Sequence, residues 1–231
     1  MSRISDRFLS EFPAGLTIPP ELVAYFRWLD DNRLWRNFDN DGYRYALIDP
    51  SQGQSCVVIV PADESYSRHW TGSDDPEIYN RLAIFCRTGG DGSYAALWRD
   101  DSGDTKIIHL GSGSGSTMMG VFTDNAVDFL RLLAIGYEEL CWPEAHGRSP
   151  DEIFAEQLEE FEEDYADDPD YAEDRPVAHP APAALRDWVE TSFGVTVPSR
   201  ASDIIGDIAD MDADQSDDAF WLWDRSMDKW K

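Results

Sequence analysis

Residues 82–142 constrain the fold more than any other stretch, because they alternate strand and turn signals and then switch to helical spacing. Leu82, Ile84 and Cys86 alternate with Ala83, Phe85 and Arg87, the period of a strand. Gly89-Gly90-Asp91-Gly92 is a tight turn that needs positive φ, and residues 94–99 form the return strand. Lys106 to Leu110 predicts a further strand, Gly111 to Ser116 a mobile hairpin tip, and Met119 to Phe122 a short edge strand. Thr123 is the expected N-cap of the helix that follows, with Asp124 and Asp128 suited to its first turn. Ala126, Phe129, Leu130, Leu133, Tyr137 and Leu140 line one face, and Pro143 is the expected stop. The stretch therefore supplies an antiparallel sheet and a helix to cover it.

Upstream, Pro19-Pro20-Glu21 opens a helix ending near Asn32, with Leu22, Phe26 and Leu29 on one face. Asn40-Asp41-Gly42 is a turn signal, Tyr43 to Ile48 alternates as a strand, and Pro50 to Gln54 reads as another turn. Cys56 to Pro61 is a β-branched run expected as a buried central strand. Residues 62–77 are polar, apart from Tyr66 and Trp70, and read as a long loop.

Downstream the composition shifts. Residues 151–174 contain 13 Asp or Glu among 24 residues and no Lys or Arg, almost half of the net charge of −27. Ile153, Phe154, Leu158, Phe161 and Tyr165 recur at three- or four-residue spacing, so the first half reads as an acidic amphipathic helix. A Pro-, Ala- and Asp-rich linker follows, then a short helix with Leu185, Trp188 and Val189 inward and Gly194 beyond its end. Residues 201–210 suggest a further helical turn. Phe220, Trp221, Leu222 and Trp223 are too apolar to stay in water and are expected to pack on the main domain or on another chain. The organisation is a core over residues 1–148, an acidic helix and linker over 149–182, and a C-terminal segment over 183–231.

The charge excludes some partners. A net −27 repels nucleic acid and anionic membranes and attracts cationic proteins. No run reaches the roughly 18 apolar residues of a membrane helix, and the N-terminus lacks the apolar core of a signal peptide. Three cysteines, Cys56, Cys86 and Cys141, without CxxC spacing fit a reducing cytoplasm better than a disulfide framework.

Motifs that carry chemistry fail on their own requirements. The Gly111–Ser116 run lacks the Lys-Ser/Thr pair of a phosphate loop, opens no helix in a βαβ unit and does not match GxSxG. Asp210, Asp212 and Asp214 copy the start of a calcium loop, but Gln215 stands where glycine is needed and Trp221 where the bidentate Glu belongs. His69, His109, His146 and His179 are scattered, without metal-ligand spacing. No cofactor and no catalytic residue is assigned.

The pattern resembles the SMI1/KNR4 family of the SUKH superfamily. The likeness is carried by Pro19-Pro20-Glu21-Leu22, by the strand–glycine-turn–strand between Ile84 and Trp98, by the helix within residues 123–140, and by LRDWVETSFGVTVPSRASDII from Leu185 to Ile205. The resemblance implies a compact α+β domain. Many bacterial members are thought to be immunity proteins that neutralise a secreted polymorphic toxin, often a nuclease or deaminase, and fungal members act as scaffolds. No shared catalytic residues carry over.

The expectation is thus an α+β fold with a single antiparallel sheet of about five or six strands, with helices from both termini covering one face. The expected function is non-catalytic binding of a basic protein partner, a toxin domain whose active site is occluded. The alternatives are a regulatory scaffold, or a hydrolase with a dispersed Cys/His or carboxylate site. Candidate contacts are Phe154, Glu156, Glu159, Glu160, Phe161, Glu163, Asp164 and Tyr165, with Asp91 as a second choice. Acids would steer the encounter and aromatics would anchor it.

Overall fold

Among the described residues, seven strands pair in strict chain order, each antiparallel to the next: β1 Trp35–Asn37, β2 Arg44–Leu47, β3 Val58–Ile59, β4 Leu82–Arg87, β5 Tyr94–Arg99, β6 Thr105–Leu110 and β7 Met119–Thr123. The computed structural model describes residues 3–37, 44–51, 56–165 and 169–227. The turn expected at Asn40–Gly42, residue Tyr43, the end of the turn at Gln54, and residues 228–231 lie outside them. The sheet exceeds the expected five or six strands by β1, a three-residue strand too short to show alternation. It pairs Trp35 with Ala46.

The longest pairing joins β4 and β5, from Leu82↔Trp98 to Arg87↔Tyr94, with a register shift between Ile84 and Cys86. Both faces of these strands are buried. Phe85, Ala95, Leu97 and Ile107 point to one core, while Leu82, Ile84, Ala96, Trp98 and Ile108 point to the other. A sheet buried on both sides explains why the middles of these strands are apolar at consecutive residues, not only at alternate ones.

Four helices cover the first face: α1 Ile4–Leu9, α2 Pro20–Asp31, α5 Ala126–Ile135 and α7 Ala183–Phe193. Aromatic rings cross this core in sequence. Phe8 meets Phe26 at 4.7 Å, Phe26 meets Phe85 at 6.3 Å, and Phe85 meets Phe129 at 5.3 Å between centroids. The second face is covered by α3 Glu64–Thr71, α4 Pro76–Tyr79 and α8 Ala219–Ser226. Phe220 and Trp223 of α8 pack on Trp98 at 5.3 and 5.5 Å, so the aromatic run near the chain end seals the sheet of its own chain. Leu222 alone of the four stays half-exposed. Helices from the termini therefore cover both faces and not one, because α8 crosses to the side opposite α2 and α7.

Three local readings change. The expected loop over 62–77 folds as α3 and α4. Asp63 and Asp75 cap them by accepting from Ser65 N and Glu77 N, and Gly72 ends α3 at φ +60°. Asn125, not Thr123, caps α5 by accepting from Asp128 N, while Thr123 closes β7. Gly136, at φ +95°, ends α5 well before Pro143. Tyr137 and Leu140 reach the core from the irregular segment beyond it, and Leu140 N–H donates to Thr88 O at 2.7 Å. Residues 201–203 form a single 3-10 turn.

Candidate functional site

The acidic segment folds as α6 Pro150–Tyr165. Ser149 and Glu152 cap it reciprocally, with Glu152 N donating to Ser149 Oγ and Ser149 N to Glu152 Oε2. Asp151 and Glu152 sit at the positive end of the helix dipole. The other end is unfavourable: Glu162, Glu163 and Asp164 crowd the last turn, which holds no basic residue. Glu156 and Glu160, Glu159 and Glu163, and Glu160 and Asp164 are like charges four residues apart, and each such pair destabilises a helix by about 0.2–0.5 kcal/mol. Folding alone does not favour this sequence.

Three carboxylates are answered. Glu152 meets Arg200 at 2.7 Å, Glu162 meets Arg175 at 2.6 Å, and Glu156 pairs with Arg148. Ser149 N–H and then Arg200 hold the Glu152 carboxyl below its ordinary range. Asp151, Glu159, Glu160, Glu163 and Asp164 are exposed and have no ion pair among the described residues. Ile153 rests on the first core. Phe161 and Tyr165 pack at a tilt with centroids 5.8 Å apart, and Tyr165 meets Tyr171 of the 169–174 turn at 4.6 Å. Tyr165, Tyr171 and Val177 are exposed, so this end of the molecule presents apolar surface among its acids.

Under α6 lies a cleft of ≈ 650 Å³, walled by the 136–148 segment, by the first half of α6 and by residues 176–179. Phe154, Trp142 and Tyr137 supply aromatic surface, and Glu138, Glu139, Glu144 and Asp151 supply carboxylates. His179 Nε2 approaches Glu138 Oε2 at 3.2 Å, both residues lining the cleft. Glu139 accepts from the Trp142 indole and, at 2.6 Å, from Gly90 N. Of these, the candidate contacts read from sequence include only Phe154. The missed signal was Glu138, Glu139 and Glu144, which extend the acidic character upstream of α6, and Trp142 between them.

Asp91 stands apart and does not line the cleft. Its carboxylate turns into the Gly111–Ser116 loop and accepts from Ser93 N at 2.9 Å, Ser93 Oγ at 2.8 Å, Ser112 Oγ at 2.8 Å and Ser116 N at 2.9 Å. Burial alone would raise its pKa, but the donors outweigh that, Ser116 N–H first, and hold it at about 2. Donors that would face an anion in a phosphate loop here face the protein's own carboxylate. A Cβ at Gly115 would sit 2.7 Å from Asp91 Oδ2, so this position needs glycine. The expected mobile tip is a loop closed on Asp91.

Comparison with protein families, with curated proteins and with solved structures finds no match. The site therefore rests on its own geometry. Among the described residues, no three of His, Cys, Asp and Glu converge to hold a metal ion, and no helix is long and apolar enough to cross a membrane. His109 is fully buried between Thr88 Oγ1 at 2.9 Å and Met118 O at 2.8 Å, and burial pushes its pKa down to about 4. Burial likewise pushes the Cys86 and Cys141 thiols well up, away from the thiolate a nucleophile needs.

Proposed function

We propose that this is a non-catalytic binding protein whose acidic arm, α6 with the 169–179 return, docks a basic protein partner. The carrying observation is that α6 keeps five exposed carboxylates without an ion pair among the described residues, four of them (Glu159, Glu160, Glu163 and Asp164) where the helix's own electrostatics disfavour them, beside exposed aromatics. Uncompensated charge speeds encounter with a cationic surface, and desolvated aromatics supply the anchor. The antiparallel sheet flanked by helices, with the resemblance to the SMI1/KNR4 family, supports the narrower reading of a SUKH-like immunity protein that occludes the active site of a toxin domain. A cytoplasmic setting agrees with the three free thiols.

The test is binding to a basic toxin domain, sought first in the gene adjacent to the one for this chain. The expected dissociation constant is on the order of nanomolar and weakens as salt rises. Replacing Glu159, Glu160 and Glu163 with Gln and Asp164 with Asn should slow association about tenfold and change dissociation little. An absence of binding at low salt would end this reading.

A further inference from the structure

The arm attracts any cation, but the cleft beneath Phe154 is more selective. Its walls are aromatic at Trp142, Tyr137 and Phe154 and carboxylate-bearing at Glu144 and Asp151. The two basic side chains that line it are engaged, Arg148 by Glu156 and His179 by Glu138. Glu139 is engaged by two N–H donors. Glu144 and Asp151 remain exposed, with no ion pair among the described residues. A ligand complementary to this lining has an apolar stem, a flat face to stack on aromatic rings, and several N–H donors for two carboxylates.

The guanidinium of arginine has all three properties. It is planar, weakly hydrated and always charged, and it stacks on aromatic faces while its fork meets carboxylates. An ammonium is a compact, strongly hydrated point charge and loses more on entering an aromatic-lined space. The volume of ≈ 650 Å³ admits such a side chain together with part of the backbone that presents it. We infer that the cleft receives an arginine side chain of the partner. This inference rests on the reading of the arm as a partner surface. It adds where the partner is anchored and by which residue type.

The experiment uses the full chain, labelled with nitrogen-15, at low salt. Three blocked tripeptides are titrated: Gly-Arg-Gly, its lysine counterpart and its uncharged citrulline counterpart. The reporter is the Trp142 indole N–H, identified by its disappearance in Trp142→Phe. The arginine peptide should shift that resonance and the amides of residues 136–154. The lysine peptide should bind several-fold more weakly, and the citrulline peptide should leave the reporter in place. Glu144→Gln with Asp151→Asn should weaken the arginine peptide about tenfold. Glu159→Gln with Glu160→Gln should change it less than twofold.

An unmoved Trp142, or equal binding of lysine and arginine with shifts spread along α6, would overturn the inference. The same cleft variant then separates the two proposals in the toxin-domain assay. If that domain binds and Glu144→Gln with Asp151→Asn leaves its affinity unchanged, the arginine anchor is refuted and the partner reading stands. If the peptide seats at Trp142 but no basic domain binds, the cleft chemistry is supported and the partner reading fails.

Discussion

The molecule uses carboxylates in two opposite ways. In the body of the fold, single aspartates each answer several donors. Asp49, 1% exposed, accepts from Ser51 N, Ser51 Oγ and, across 136 residues of sequence, from Leu185 N at the start of α7. Asp91 closes the Gly111–Ser116 loop. Asp218 caps α8 through Trp221 N and also takes Val121 N of β7. On α6 the ratio is reversed, with more carboxylates than donors. The contrast separates acids that hold the fold from acids the fold does not need. Substitutions should divide along the same line.

The largest effect is expected at Asp49. Asp49→Ala strands the buried Leu185 N–H, removes the partner of the Ser51 N–H and Oγ–H, and frees the N-terminus of α7, at a cost of about 3 kcal/mol. A urea titration that moved by less than a quarter of this would erase the distinction at its strongest point. Asp91→Ala should cost about 2 kcal/mol, less than Asp49 because water reaches that loop to replace lost partners. Its folded pKa of about 2 lies below the ordinary 3.8. The stabilisation is therefore complete above pH 3.8 and is lost as pH falls toward 2, where the folded carboxyl also takes a proton. Unfolding midpoints across that window should fall more steeply for the native sequence than for Asp91→Ala.

His109 gives a third, milder handle on the body. Buried neutral at about 4 against an ordinary 6.5, it is protonated in the unfolded chain first. Stability from this group is full above pH 6.5 and declines as pH falls toward 4. The decline between pH 7 and pH 5 should be roughly 1–2 kcal/mol, and His109→Gln should flatten it even if that variant starts from a lower value.

How legible all this was follows the reach of the interactions. The helix opened by Pro20, the β4–β5 hairpin and the burial of Phe220 and Trp223 depend on neighbours in sequence or on plain apolarity, and these could be read directly. The capping of α3 and α4 was also written locally, in Asp63, Gly72, Asp75 and Pro76, but the polar composition between them hid it. Gly136 carries a helical pattern in the sequence because Tyr137 and Leu140 keep the apolar period after the helix has ended. The cleft could not be read, since it joins Tyr137 and Trp142 to Phe154 and to residues 176–179. The role of Asp91 depends on donors up to 25 residues away, and nothing in its own turn distinguishes a carboxylate turned inward from one facing a partner.

The smallest change, and the most diagnostic, is expected on the arm itself. Converting Glu159, Glu160 and Glu163 to Gln and Asp164 to Asn removes three like-charge contacts along the helix and relieves the crowded negative end of its dipole. None of the four has an ion pair among the described residues, so no attraction is lost to set against that relief. The variant should therefore be unchanged or stabilised by up to about 1 kcal/mol at low salt, a gain that shrinks as added salt screens the native repulsion. Thermal unfolding at low and high ionic strength measures both parts. A loss of more than about 0.5 kcal/mol would place these acids among those that hold the fold, as Asp49 does, and would remove the ground for reading α6 as a surface kept for something else.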